Sequence, residues 1–199
     1  MQKQLEGKKI VILATDGFEQ AELTDPKKNL EEAGAKVTVL TIRPAVGGKP
    51  GTGAEPKKIK GWDNTDWGKT VKVDGLVYDA NPEEFDALVL PGGQINPDKL
   101  RMDPGAVEFV KKFVGTGKTV AAICHGSWTL IEAGVVKGKT MTSWPSVHTD
   151  LMNAGAQWVD KEVVVDGSLI TSRKPEDIPA FSKAIVEAVA KGSQHKAAA

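Results

Sequence analysis

The 199 residues contain a single cysteine, Cys124, beside His125, one of three histidines, in the stretch VAAICHGSW. A thiolate is a strong nucleophile and an imidazole is a general base near neutral pH, so this pair has the residue types for covalent catalysis. An apolar run precedes the cysteine, a helix-like stretch follows it, and the small residues Ala122 and Gly126 flank it two positions to either side. That is the layout of the strand-to-helix nucleophile elbow G-x-S-x-G, with Cys for Ser and Ala for the first Gly. At such a turn the sulfur would meet a helix N-terminus, where free N–H groups and the dipole favour a thiolate and a developing oxyanion. The amides of Gly93 and His125 are the candidate oxyanion donors. The same pattern also suits a buried structural cysteine, because free Cys packs as a small hydrophobe.

Glu19 follows Phe18 in a loop that reaches the same sheet edge as Cys124. Buried beside the thiol, its carboxyl would hold a proton and donate a hydrogen bond to a thiolate. The alternative for Glu19 is an acid favoured by the positive end of the following helix. Glu22 reads as a solvated helix residue. Trp128, four residues beyond Cys124, would wall a pocket or pack in the core. His148 reads as lying on a helix face and His195 in the tail. With no HExxH, no CxxC and no carboxylate cluster at ligand spacing, neither a metal nor any other cofactor is expected. The pairs Gly47-Gly48 and Gly92-Gly93 build neither GxGxxG nor a P-loop.

KKIVILAT reads as a buried strand, AELTDPKKNLEEAGA as a helix ended near Gly34, and KVTVLTI as a second strand, together a right-handed βαβ unit. FDALVLPGG is a strand ending in a turn, and DPGAVEFVKKFVGTG a helix with Asp103 as N-cap and Pro104 in its first turn. KTVAAIC then HGSWTLIEAG repeats strand and helix. EVVVDGSLITS is a hairpin around Asp166-Gly167. A last helix from about Pro175 puts Ile178, Phe181, Ile185 and Val189 on one face. This alternation predicts an α/β sandwich around a mostly parallel sheet, whose ligands bind beyond the carboxyl ends of the strands. The loops TDGFEQ, PGGQINPD and CHG converge there. The expected organisation is one domain over 1–191, with a loop-rich insertion near 43–70 and a flexible tail over 192–199.

Composition narrows the function. The 26 basic residues balance 26 acidic ones, which removes the electrostatic case for nucleic-acid or anionic-membrane partners. No stretch approaches the roughly 20 apolar residues of a membrane span. With no signal-peptide core and one cysteine, the cytoplasm is the expected compartment.

The stretches GFEQAELTDPKKNLEEAGAKV, FDALVLPGG, VAAICHGSWTLIEAGVVKGKTMTSWPS and DLMNAGAQWVDKEVVVDGSLITSRKPEDIPAF closely resemble the PfpI-like family of intracellular cysteine peptidases. That family belongs to the class I glutamine amidotransferase-like superfamily and includes the parkinsonism-associated deglycase. The resemblance runs from about Lys8 to Val189. It implies a flavodoxin-like three-layer sandwich with Cys124 as nucleophile in a strained elbow, His125 as its neighbour and Glu19 as the acid touching the sulfur. It further implies a homo-oligomer, dimer or hexamer, in which a carboxylate of an adjacent subunit completes a triad, the matching residue here being Asp98. Ser127 stands where many members have Pro. Members act as peptidases without ATP, as glyoxalases without glutathione, as deglycases and as stress proteins. The expectation is a cofactor-free cysteine enzyme acting on small reactive dicarbonyls or their glycated adducts. The alternatives are an oligomer-dependent peptidase on peptides and a non-catalytic redox sensor or chaperone.

Overall fold

The computed structural model describes residues 3–197, with side chains through residue 192. In chain order the elements are β1 (Lys9–Leu13), β2 (Phe18–Glu19), α1 (Gln20–Glu32), β3 (Lys36–Thr41), β4 (Lys58–Asp63), β5 (Asp66–Lys72), β6 (Gly75–Leu76) and β7 (Ala87–Leu90). They continue with α2 (Ile95–Met102), α3 (Pro104–Gly115), β8 (Thr119–Ile123), α4 (Ser127–Glu132), β9 (Thr140–Met141), α5 (His148–Asn153), β10 (Gln157–Trp158), β11 (Val163–Asp166), β12 (Leu169–Ser172) and α6 (Ile178–Ala197).

Seven strands form the central sheet in the order β11-β12-β8-β7-β1-β3-β6, parallel throughout except for the β11–β12 hairpin. Side chains alternate between two cores. Ile10, Ile12, Val39, Val89, Ala121 and Ile123 pack with Leu23 and Leu30 of α1 and Phe181 and Ile185 of α6. Val11, Leu13, Leu40, Leu88, Leu90 and Val120 pack with Phe109 and Phe113 of α3 and Leu130 of α4. Because helices cover both faces, the strands read as continuous apolar runs rather than as alternation. This is the three-layer α/β sandwich, with the mostly parallel sheet of a flavodoxin-like fold.

From β1 the chain winds outward to β3 on one side and returns to β7 on the other. That reversal opens a crevice at the carboxyl ends of β1 and β7, where ligands of such sheets bind. The predicted caps are present. Asp103 Oδ1 accepts from the Ala106 amide at 2.9 Å, and Gly34 closes α1 at φ 103°. In the hairpin, Gly167 turns at φ 62°.

Three local features fill in what the sequence left coarse. PGGQINPD is not all loop, because α2 begins at Ile95; Asn96 and Pro97 tuck inward, while Asp98 lies in its first turn. The 43–70 segment, expected to hold loops and short strands, contains β4 and most of β5, an antiparallel hairpin that extends β2 into a separate three-stranded sheet. And α6 carries helical backbone to Ala197, through the segment expected to be a flexible tail, where Ala, Lys and Gln all favour helix. His195 lies beyond the residues whose side chains are described. Among the described residues, no helix is long and apolar enough to cross a membrane.

Candidate active site

The crevice is a cavity of about 730 Å³ whose lining includes Glu19, Glu22, Trp62, Cys124, His125 and Trp144. Loops after β1, β7, β8 and β12 build it, and the hairpin closes one side. Asn96 staples two of these loops. Its side-chain oxygen accepts from the Thr15 amide at 2.8 Å, and its Nδ2 donates to the carbonyls of Pro91 and Gly92 at 2.9 and 3.2 Å.

Cys124 sits at φ 62°, in the left-handed region, where a residue with a Cβ is strained by roughly 1–2 kcal/mol. The surroundings impose this turn. The Trp144 amide donates to the Cys124 carbonyl at 3.4 Å, and a Cβ on Gly126 would lie 2.4 Å from the Leu90 carbonyl oxygen. Gly92 makes room from below, since a Cβ there would come within 2.6 Å of both the Cys124 Cβ and Glu22 Oε2.

The acid at the sulfur is Glu22, which corrects two readings of the sequence. Glu22 is 0 % exposed rather than solvated, because α1 turns this position inward beside its apolar Leu23. Its Oε2 accepts from the Gly92 amide at 2.9 Å, its Oε1 is buried with no hydrogen-bond partner of its own, and its carboxyl is in contact with the Cys124 thiol. Burial pushes this carboxyl up to about 8, against the lowering contacts with Cys124 and Gly92, and the charges of Glu19 and Glu176 reinforce the rise. Glu19 is not the group touching the sulfur. It forms the half-buried end of β2, paired with Trp62 of β4, and faces the cavity mouth. Its carboxyl is also raised, first by burial and then by the nearby Asp63.

The thiol itself is not driven toward the thiolate as the elbow pattern suggested. Burial, followed by the charge of Glu22, pushes Cys124 well up, and this outweighs the amides of Gly93 and His125 that donate to the sulfur. The helix behind it, α4, has only six residues and little dipole to offer. The acidic pair therefore holds protons through the neutral range.

His125 adjoins the sulfur in space as well as in sequence, with Nδ1 3.2 Å from Cys124 Sγ. Its ring is 4 % exposed and lies between two tryptophans, edge-on to Trp128 at 4.9 Å between centroids and stacked with Trp144 at 6.1 Å. Burial depresses it to about 4, although Asp150 pulls the other way. Its Nε2 lies 3.2 Å from Ser146 Oγ. Trp128 is thus not a wall of the cavity. It braces the imidazole, donates from Nε1 to Asp150 Oδ2 at 2.8 Å, and carries the Arg101 guanidinium over its ring. Trp144 takes the wall position.

Asp98 lies on the exposed side of α2, ion-paired with Arg101 at 2.7 Å and away from the cavity lining. Ser127 Oγ is buried without a hydrogen-bond partner. Among the described residues, no three His, Cys, Asp or Glu side chains gather as a metal site requires.

Sequence reasoning missed Asn96, Trp144, Ser146 and the segment Lys174–Glu176. The signal for Asn96 was its place just after the Pro-Gly-Gly turn. The others come from segments remote in the chain and carry no local motif.

The family model of the DJ-1/PfpI family matches residues 8–188. The deglycase PYRAB04690 of Pyrococcus abyssi is 42 % identical over 180 residues, covering 90 % of this chain and 98 % of its own. The putative cysteine protease YraA of Bacillus subtilis is 43 % identical over 176 residues, covering 88 % of this chain and 95 % of its own. Among solved structures, Drosophila melanogaster DJ-1beta superposes with a TM-score of 0.75 at 29 % identity, over 94 % of this chain and 97 % of that one.

Proposed function

The chain belongs to the DJ-1/PfpI family, whose relatives above carry hydrolase-type names, and we propose that it is a stress enzyme that uses Cys124 to process reactive dicarbonyls or their early adducts. The observation that carries this reading is the strained elbow, which sets one thiol between a protonated carboxyl, Glu22, and a neutral imidazole, His125.

The geometry supports these roles. As the sulfur attacks the aldehyde carbon, Nδ1 of His125 takes the thiol proton and the carbonyl electron pair moves to oxygen. The amides of Gly93 and His125, which donate to the resting sulfur, would shift to that oxygen, and the imidazolium returns the proton to it, giving a hemithioacetal. Glu22 keeps its proton and donates it as a hydrogen bond to the transient thiolate. For methylglyoxal, His125 then moves a proton from the thiol-bearing carbon to its neighbour, giving a thioester of lactate. Water hydrolyses the thioester and restores the thiol. For a hemiaminal adduct on an amine, the sulfur would instead displace the amine at the hydroxyl-bearing carbon, the thiol proton passing through His125 to the departing amine, and the same hemithioacetal would form. No step calls for a cofactor.

The test is methylglyoxal consumption and lactate formation without glutathione, for the wild type and Cys124→Ala. Turnover in the wild type that is lost in the variant is the expected result, with glycated-peptide repair measured next. Wild-type turnover that survives in Cys124→Ala would overturn the reading.

A second reading, amide hydrolysis, is favoured by the Cys124–His125 contact and by the name of YraA. If Asp98 of a neighbouring subunit completes a triad, peptidase activity tracks the oligomer. An active monomer, identified by light scattering, would sink that version.

A further inference from the structure

His125 is fixed by two kinds of neighbour that do different things. The two tryptophan rings set the plane of the imidazole, but neither offers a donor or acceptor to its nitrogens; the Trp128 N–H is spent on Asp150. What the nitrogens meet is one sulfur and one hydroxyl, Cys124 Sγ at Nδ1 and Ser146 Oγ at Nε2, both at 3.2 Å. A neutral imidazole carries a single N–H, so these two contacts cannot both receive one. The tautomer decides whether His125 can take a proton from the thiol.

Ser146 is well placed to decide it. It belongs to the short 3-10 turn Pro145–Val147, which the Val147 amide closes onto the Trp144 carbonyl at 3.0 Å. The same turn is tied to the elbow, because the Trp144 amide donates to the Cys124 carbonyl. Ser146 itself is exposed, so a hydroxyl that accepts from Nε2–H can still give its own hydrogen to water. The opposite arrangement, with the hydroxyl donating to Nε2 and Nδ1–H aimed at sulfur, would set a donor against a thiol that itself carries hydrogen. Sulfur is a poor acceptor, whereas a hydroxyl is a good one.

Resting on the reading that Cys124 and His125 are the reacting pair, we propose that Ser146 is a positioning residue. Its hydroxyl accepts from Nε2–H of His125, leaving the Nδ1 lone pair free to take the Cys124 proton. When that proton arrives, both ring nitrogens carry N–H, the bond to Ser146 becomes charge-assisted, and Asp150 supports the imidazolium from α5. The sulfur then bonds to the carbonyl carbon, and the proton returns from Nδ1 to the new oxyanion. Ser146 touches neither substrate nor sulfur.

The test is the ring 15N spectrum of the full-length protein labelled at its three histidines, with His148→Gln and His195→Gln variants isolating the His125 signals. Wild type should show the Nε2–H form. Ser146→Ala should lose that single form and lower kcat roughly two- to tenfold, the worth of one neutral hydrogen bond, with KM little changed. Ser146→Thr, which keeps the hydroxyl, should restore both spectrum and rate. An Nδ1–H wild-type ring, or an Ser146→Ala protein with unchanged spectrum and rate, would overturn the proposal. The spectrum is read without substrate, so it judges the tautomer even if the Cys124→Ala comparison defeats the dicarbonyl reading.

Discussion

On the inner side of the elbow, toward α1 and α6, Cys124 meets a carboxyl with no exposed surface. On the outer side, toward α4 and α5, His125 meets two tryptophans and an exposed serine, with the charge of Asp150 nearby. Burial acts on both sides with opposite consequences for protonation. It makes the inner acids hold their protons and makes the outer base refuse one, so each group is kept uncharged by a different route. The proposed reactive centre is therefore neutral at rest, and the proposed chemistry separates charge only as substrate is attacked. Net attraction between preformed ions is not what holds it together.

The largest expected effect comes from closing the gap between the two sides. Gly92→Ala puts a methyl within 2.6 Å of the Cys124 Cβ and Glu22 Oε2 and 2.9 Å of the His125 amide nitrogen. Activity should fall more than about a hundredfold, and stability by about 1–3 kcal/mol, measured as kcat/KM and Tm. Full activity would show that the inner side is looser than the geometry states.

Glu22→Gln isolates the inner side. The folded carboxyl titrates near 8 and the unfolded one at 4.5, so the folded state binds the extra proton between those values. Stability from this group is complete below about pH 4.5 and is lost as the pH rises toward 8. Chemical denaturation of the wild type should show that decline, on the order of a few kcal/mol, and Glu22→Gln should flatten it. Turnover in the wild type should also fall above about pH 8, as the ionised carboxylate replaces a donor with a charge beside the sulfur. Parallel pH slopes for the two proteins would remove the buried carboxyl from the account.

The outer side should show the mirror image. His125 titrates near 4 folded and 6.5 unfolded, so the folded state binds fewer protons between those values, and stability falls as the pH drops from 6.5 to 4. His125→Gln should reduce that acid sensitivity by about 1–2 kcal/mol, measured by urea unfolding at pH 7 and pH 4.5. The smallest effect is expected at the mouth, where Glu19→Gln should change kcat/KM by less than about threefold. A loss of about a hundredfold, the scale of a general acid or base, would return Glu19 to the chemistry.

Much of the fold was legible because local signals agreed: apolar runs of strand length, Asp103 before Pro104, and Asp166-Gly167 between two β-branched stretches. The elbow was legible for the same reason, since its small flanking residues are adjacent in the chain. What was not legible was direction. Glu19 and Glu22 are three residues apart, and only the pairing of β2 with β4 decides that α1 begins at Gln20 and turns Glu22, not Glu19, onto the sulfur. A charged residue in a helix reads as solvated by default, and the amide that stabilises it, Gly92, comes from 70 positions away. α2 was hidden by its Pro and Asn, which suit a helix's first turn as well as a loop. Two partners of His125, Trp144 and Ser146, come from a segment some 20 residues downstream, whose sequence shows nothing but an aromatic and a serine around a proline.

The β4–β5 hairpin belongs to a small sheet of its own, tied to the rest through the two residues of β2, through Gln20, whose side chain meets Asp63 and the Lys69 amide, through Lys60, whose backbone bonds Asp16 and Gly17, and through Ile59 in the core. Trp62 and Asn64 thus line the cavity from a part that shares no strand with the sheet carrying Cys124. In mechanical terms the molecule separates tool from jaw. The elbow is anchored in the central sheet, while one side of the opening is shaped by a hairpin outside it, so the width of the mouth and the geometry of the sulfur are set by different strands.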